Sequence, residues 1–145
     1  MKIDGACHCG NIQFEAEVDA AKVVICHCSD CQTLSGSAFR TIVPTEPGSF
    51  RLVRGVPKVY VKTADNGNRR QQTFCPDCGT PIYAGAAATD AKVVWLRLGA
   101  VRQRAELMPR DQYWFRSAQP WLSQLSALTK RDTQPVANID DSGDA

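Results

Sequence analysis

The stretch "FCPDCGTP" at residues 74–81 holds two cysteines, Cys75 and Cys78, in the C-x-x-C spacing of a metal half-site. Pro76 and Gly79 suit the tight turn by which such a pair wraps an ion. Two thiolates do not complete a tetrahedral site, so further ligands must come from elsewhere in the chain. This turn therefore predicts a metal staple between distant segments.

A second pair of cysteines lies near the start of the sequence, in "GACHCG" at residues 5–10. In an extended segment residues i and i+2 face the same way, so Cys7 and Cys9 can offer both sulfurs to one ion while His8 points away. Combined with the pair in 74–81, they would form a closed Cys₄ site of structural type.

A third cluster, in "VICHCSDCQTLSG" at residues 24–36, holds three cysteines: Cys26, Cys28 and Cys31. Three protein ligands with a vacant fourth position is the pattern of a catalytic metal site. Seven cysteines in all is an odd number for disulfides and one short of two closed tetrahedral sites.

The same stretch predicts a short helix that begins at this cluster. Ser29 followed by Gln32 is a capping-box pattern, and Gly36 is placed to end the helix. Its positive N-terminal end would favour the thiolate forms of the neighbouring cysteines and the binding of anionic groups nearby.

Spacing alone leaves another partition open. An ordinary zinc ribbon would join two C-x-x-C pairs, Cys28/Cys31 and Cys75/Cys78, although the loop between them is much longer than usual. That alternative leaves three cysteines over: Cys7, Cys9 and Cys26.

Composition and charge set the broad class of the protein. The chain has 145 residues, with 17 Lys and Arg against 15 Asp and Glu, so its formal charge of +2 does not imply a phosphate-rich partner. The N-terminus shows no signal-peptide core, and apolar runs such as "VVWL" at 93–96 are too short to cross a bilayer. We expect a cytoplasmic protein, because thiols in a reducing compartment stay free unless a metal holds them.

Alternating apolar and polar residues predict a mainly β protein. In 11–18 the apolar positions recur every second residue, and similar runs follow between turn residues at 37–43, 49–53, 58–63, 70–74 and 92–99. The spacing in 119–131 favours one further helix. We expect a single domain over residues 1–131, followed by a polar, disordered tail over residues 132–145.

The ordered set "GACHCG" (5–10), "CHCSDCQTLSGSAF" (26–39) and "FCPDCGTPIY" (74–83), with "PW" at 120–121, resembles the glutathione-dependent formaldehyde-activating enzyme family, often grouped with centromere protein V. The resemblance implies an antiparallel β-tent around zinc with one short helix after the second cysteine cluster. It also implies a structural zinc site formed by Cys7, Cys9, Cys75 and Cys78. The second, catalytic zinc site implied by the resemblance consists of Cys26, Cys28 and Cys31.

The activity implied by this resemblance is that of a carbon–sulfur lyase, which joins formaldehyde to glutathione or a similar small thiol and gives S-hydroxymethylglutathione. Neither a nucleic acid nor a membrane is expected as a partner. The sequence departs from the familiar pattern after Gly99, where it reads "AVRQRAEL", so a lyase acting on a different thiol adduct is an alternative.

A zinc-stapled binding scaffold without catalysis is the other alternative. It is suggested by a set of basic residues: Arg51, Arg54, Lys58, Lys62, Arg69 and Arg70. These alternate with apolar residues as exposed strand faces do, and few aromatics are interleaved with them, which argues against nucleic-acid binding.

Four further side chains have residue types that could serve a catalytic or binding site. We expect His27, between two ligands, to point away from the metal rather than relay a proton. We expect Arg40 to be a solvated strand residue with a packed aliphatic stem, and not a residue that binds a carboxylate of glutathione. Trp114 and Trp121 are read as core or rim aromatics.

Overall fold

The computed structural model describes residues 1–64, 66–88 and 91–133, and within them ten strands form two sheets. The smaller sheet has three antiparallel strands in the order β1 (Lys2–Ala6), β2 (Gln13–Glu17) and β5 (Arg51–Arg54). Phe14 and Ala16 of β2 are buried and alternate with the exposed Glu15 and Glu17, so this sheet has one wet face as the sequence pattern predicts.

The larger sheet contains the other seven strands, in the order β10, β3, β4, β9, β8, β7 and β6. Their bounds in chain order are β3 (Val24–Cys26), β4 (Arg40–Pro44), β6 (Lys58–Thr63), β7 (Arg69–Phe74), β8 (Pro81–Ala86), β9 (Trp95–Arg97) and β10 (Asp111–Tyr113). All neighbours pair antiparallel except β10, which runs parallel to β3.

The two faces of the larger sheet pack against different surroundings. Val43 and Leu96 belong to the main core, which is shared with Ile3 and Phe14 of the smaller sheet. Their strand neighbours on the opposite face belong to a second cluster of Val24, Cys26, Ile42 and Trp95, against which Cys28 and Cys31 pack. Because side chains alternate along a strand, one face of this sheet holds the core and the other holds the three-cysteine cluster.

One α-helix occurs in the described residues, α1 (Ser29–Ser35), directly after the second cysteine cluster. Gly36 ends it in the left-handed conformation, with φ of 61°, as predicted. Short 3₁₀ helices lie at Ala20–Lys22, Leu98–Ala100, Arg104–Glu106 and Phe115–Ser117. No helix in this part of the chain has the length and hydropathy needed to cross a membrane.

The predicted fold class, mainly antiparallel β structure with one short helix after the second cysteine cluster, is confirmed. The helix expected over 119–131 is instead a 3₁₀ helix, Pro120–Ala127, with none of its residues buried. No apolar face of this segment packs on the core. In so short a segment nothing therefore favours the i→i+4 hydrogen bonds of an α-helix over the i→i+3 bonds of a 3₁₀ helix. The predicted tail lies outside the described residues from position 134 onward.

Gly5 of β1 lies against the 3₁₀ helix Leu98–Ala100 and the ring of Phe14. A Cβ atom there would lie 2.3 Å from the carbonyl oxygen of Ala100 and 2.3 Å from Cζ of Phe14. A bridge between Gly5 and Val101 fixes this approach, so the backbone oxygen cannot move aside without breaking it.

We therefore expect Gly5→Ala to lower the free energy of unfolding by about 2–4 kcal/mol, since a backbone clash cannot be relieved by a rotamer change. Gly99→Ala is the matched control, because a Cβ at Gly99 meets nothing within 4 Å. Urea unfolding of both variants checks this, and equal stabilities for the two variants would contradict it.

Candidate metal centres and cleft

Four thiols converge where the turn after β1 meets the turn between β7 and β8. The sulfurs of Cys7, Cys9, Cys75 and Cys78 all lie within 4.8 Å of one another, and the Cys7–Cys9 and Cys9–Cys75 separations are 3.5 Å and 3.8 Å. Tetrahedral bonds of about 2.3 Å from a zinc ion would space its sulfurs about 3.8 Å apart. The geometry of this four-thiol cluster therefore fits one tetrahedral metal ion.

Backbone and side-chain hydrogen bonds hold the two turns together around these sulfurs. The His8 amide donates to Oγ1 of Thr80 over 3.0 Å, and the Asn11 side-chain amide donates to Asp77. The Ile12 amide donates to the sulfur of Cys7 over 3.2 Å. Cys7 and Cys9 lie in a turn and not in the extended segment expected from the sequence, but their sulfurs still meet while His8 is exposed.

Three thiols form a separate group at the end of β3 and the start of α1. The sulfurs of Cys26, Cys28 and Cys31 lie within 4.8 Å of one another, with Cys26 buried and the other two half-buried. This three-thiol cluster has no fourth cysteine. Among the described residues, the ribbon grouping of Cys28 and Cys31 with Cys75 and Cys78 is not formed.

The start of α1 differs from the predicted capping box, because a cysteine of the three-thiol cluster caps the helix. Cys28 is the N-cap, and its sulfur accepts from the Cys31 amide over 3.4 Å. Gln32 does not turn back to Ser29: its side-chain amide donates to the backbone oxygens of His27 and Ser117, at 2.6 and 2.9 Å. A sulfur takes the role of the usual hydroxyl, so two thiols of the cluster are fixed by the helix itself.

Hydrogen bonds within the three-thiol cluster shift the pKa values of Cys26 and Cys31 in opposite directions. The contact with the Cys31 side chain, and further hydrogen bonds with Cys28, lower the pKa of Cys26 to about 5, despite its burial. The same contact with Cys26, together with burial, raises the pKa of Cys31. The lowered pKa of Cys26 favours its thiolate form, which is the form that binds a cation.

Two buried arginines accompany this cluster on the same face of the sheet. Arg40 lies opposite Cys26 on the neighbouring strand, and Arg97 lies opposite Ile42 on the next strand. They are only 6% and 7% exposed, so the expected solvated role of Arg40 is wrong. Burial lowers the pKa of Arg40, while the charges of Cys31, Cys28 and Cys26 oppose that shift.

Arg97 was missed by sequence reasoning. Burial, together with the charge of Arg40, lowers its pKa to about 10, and its Nη2 donates to Oε1 of Gln72 over 2.8 Å. The one signal for it is a charged residue inside the otherwise apolar run "VVWLRLGAV" at 93–101, a pattern typical of a buried cation with a specific partner.

The three-thiol cluster opens into a cleft of about 780 Å³. Its walls come from α1, from the β6–β7 hairpin and from the segment that follows β10. Four basic residues line it: Lys62, Arg70, Arg97 and Arg116. Lys62 also forms an ion pair with Asp30, which connects the hairpin to α1. The cleft therefore suits a ligand that carries negative charge.

His27 is held away from the thiols, as expected. Its ring is buried between Phe39 and Phe115, with centroids 5.8 and 5.7 Å away, and its Nε2 lies 2.9 Å from Oε1 of Gln112. The His27 amide donates to the backbone oxygen of Tyr113. His27 thus joins β3 to the segment around β10.

Both tryptophans considered from the sequence are about half exposed, which excludes a core role. Trp114 has a left-handed backbone, with φ of 58°, and lies in the wall of the cleft with the Arg116 guanidinium 4.9 Å from its ring centroid. Trp121 lies in the exposed 3₁₀ segment.

Comparison with known proteins agrees with this arrangement. The family described as glutathione-dependent formaldehyde-activating enzyme matches residues 2–117. An uncharacterized lyase of Schizosaccharomyces pombe is 28% identical over 80 residues, which is 55% of this chain and 55% of the relative. The chain thus spans about half the length of that curated relative.

A crystal structure of a Rhodobacter sphaeroides protein shares the fold, with a TM-score of 0.58 and 18% sequence identity over 75% of this chain and 98% of the other. Since the family match spans most of the sequence and all seven cysteines, the chain belongs to the glutathione-dependent formaldehyde-activating enzyme family.

The two clusters differ in the number of thiols, which predicts different metal retention. Purified protein should contain between one and two metal ions per chain, and a chelator should remove the ion at the three-thiol cluster first, because it is held by fewer bonds. Elemental analysis during chelator titration measures this. Two equally resistant ions, or a folded sample prepared without chelator that contains no metal, would contradict it.

Replacement of single cysteines should separate the clusters. We expect Cys7→Ser to lower the melting temperature by roughly 10 °C or more, because it removes a ligand whose metal-binding energy is coupled to folding. Cys31→Ser should keep the circular dichroism spectrum and melting temperature near those of the parent, while the ion at the three-thiol cluster is lost. The reverse pattern would show that the three-thiol cluster is the structural one.

Proposed function

We propose that this protein is a zinc-dependent carbon–sulfur lyase that joins formaldehyde to glutathione, or to a related small thiol, and also catalyses the reverse reaction. The observation that carries the proposal is the three-thiol cluster, which lies at the base of a basic cleft. The family match and the lyase name of the fission yeast relative support the class of reaction.

The reaction needs no redox partner. The thiol sulfur forms a bond to the carbonyl carbon and the C=O π bond breaks. The thiol loses one proton and the carbonyl oxygen gains one, so the step balances. A zinc ion supplies the ability to stabilise a thiolate at neutral pH when it is bound. Cys26, Cys28 and Cys31 would hold that ion, and they would leave one coordination position facing the cleft.

The other residues of the cleft bind and orient the thiol. Glutathione carries two carboxylates, and the lining of the cleft offers the cations of Lys62 and Arg70 from the β6–β7 hairpin and of Arg116 from the segment after β10. Trp114 offers an exposed ring in the segment after β10. His27 does not take part in proton transfer in this proposal, since Phe39 and Phe115 enclose its ring and Gln112 contacts its Nε2.

The four-thiol cluster has a structural role in this proposal. It would close around a second zinc ion and make residues 1–131 one stapled domain, as expected from the sequence. The chemistry suits a reducing cytoplasm, where free thiols and free ligand cysteines persist.

A lyase that acts on a different thiol adduct is the second candidate. The segment after Gly99 contributes Ala100, Arg104 and Leu107 to a separate cavity of about 660 Å³ that shares Arg97 with the main cleft. Because that segment departs from the familiar pattern, the preferred thiol can differ while the three-thiol cluster stays the same.

The test is the rate of exchange between free and thiol-bound formaldehyde, measured by NMR with ¹³C-formaldehyde and a panel of thiols. Exchange with glutathione should exceed the uncatalysed background by at least roughly a hundredfold, which is a small part of the acceleration typical of enzymes. Cys31→Ser should reduce it to background, and Arg51→Gln on the smaller sheet is the control that should retain it.

The panel separates the alternatives. Faster exchange with another thiol would identify the second candidate. Background rates with every thiol, in protein shown to hold two metal ions, would indicate a binding scaffold and would contradict the proposed activity.

A further inference from the structure

Buried arginines are rare unless a negative charge lies nearby, and here two of them share one face of the sheet with the three-thiol cluster. Cys26 and Arg40 are directly opposite each other on β3 and β4, where Cβ atoms are about 4.5–5.5 Å apart. Arg97 lies opposite Ile42, two residues further along β4 and on the same side. The register therefore places both arginines on the face of the sheet that holds the cluster.

Neither arginine is neutralised by a carboxylate. Within residues 1–64, 66–88 and 91–133, every ion pair joins other side chains, and Nη2 of Arg40 and Nε of Arg97 have no hydrogen-bond partner. These atoms have almost no accessible surface, so they do not serve a ligand in the neighbouring 660 Å³ cavity. Unpartnered buried donors of this kind are costly unless a charge offsets them.

The described residues offer no buried carboxylate on this face, and the groups of opposite sign packed there are the three thiols when ionised, with Cys26 buried and Cys28 and Cys31 half-buried. Three thiolates around a divalent ion leave one net negative charge, and two guanidinium groups turn it into one net positive charge. A centre of that sign attracts an anion in a buried setting, whereas the bare thiolate centre would repel it.

We propose that Arg40 and Arg97 set the charge of the three-thiol centre, so that it accepts an anionic thiolate from the cleft in preference to a neutral ligand. The inference rests on the proposed function, because it presumes a metal ion at this cluster and a thiol as the ligand. In this inference the two arginines act only through their positive charge on the three-thiol centre, and they take no part in bond formation.

The test uses protein loaded with Co²⁺, whose absorption bands report ligand changes at thiolate sites. The four-thiol cluster is closed, so only the three-thiol centre should respond to added ligand, and Cys31→Ser should abolish the response. 2-Mercaptoethanol is the probe for an anionic ligand and imidazole is the probe for a neutral one. The dissociation constants of both are measured without formaldehyde.

Arg97→Met should weaken 2-mercaptoethanol binding by roughly tenfold or more, since one nearby positive charge is lost in a poorly screened site. Imidazole binding should change little or become tighter. Arg97→Lys keeps the charge and should stay near the parent. Arg51→Met removes a positive charge that pairs with Glu15 on the other sheet, and it should leave both constants unchanged.

The Co²⁺ content of each variant is also measured, because a substitution can remove the ion from the three-thiol centre instead of changing its affinity for the probes. Loss of Co²⁺ from the three-thiol centre in Arg97→Met but not in Arg97→Lys would support a role for charge. Loss in both variants, an equal loss of affinity for the two probes, or unchanged 2-mercaptoethanol binding in Arg97→Met would overturn the inference. Since no turnover is measured, a protein that fails the exchange assay can still pass this one.

Discussion

The convergence of four thiols at two turns is the constraint on which the rest of this fold depends. Cys9 and Cys75 are 66 positions apart, and the structure places their sulfurs 3.8 Å from each other. The first turn belongs to the smaller sheet and the second to the larger one, so the cluster joins the two sheets at one end. Binding of a single ion would act on the whole domain, because structural zinc sites can contribute about 10–16 kcal/mol to folding.

The two faces of the larger sheet have different surroundings and different compositions. One face is covered by the smaller sheet and forms a conventional apolar core around Phe14 and Leu96. The other face holds thiols, arginines and a few apolar side chains in a setting of low dielectric, where electrostatic interactions are strong. The three-thiol cluster and its cleft thus lie on the side of the sheet that does not contribute to the main core.

The sequence predicts the parts of this structure that depend on local patterns. Alternation in 11–18 gives β2, the run at 58–63 gives β6, and Gly36 ends α1 as expected. Four strands were missed: β3 and β10, whose three residues carry too little periodicity to detect, and β1 and β8, whose sequences KIDGA and PIYAGA are interrupted by glycine. The 3₁₀ segment at 120–127 shows that helical spacing without a buried face does not fix the helix type.

The cysteines were grouped through the family resemblance, because spacing allowed a ribbon as well. What the sequence could not show was the surroundings of the three thiols. Arg40 looked like a surface residue and Arg97 like part of a core strand. Their burial next to Cys26 follows from strand register between β3, β4 and β9, which is a long-range property.

The cleft has walls of separate origin. The thiols belong to β3 and α1, whereas Lys62 and Arg70 come from the β6–β7 hairpin at the opposite edge of the sheet, and Trp114 and Arg116 follow β10 at the near edge. The hairpin and the segment after β10 each contact α1, through the Lys62–Asp30 ion pair and the Gln32–Ser117 hydrogen bond. A change in either wall would therefore alter the opening and also act on the helix that carries Cys31, so a redesign of this pocket has to treat its outer strands and α1 together.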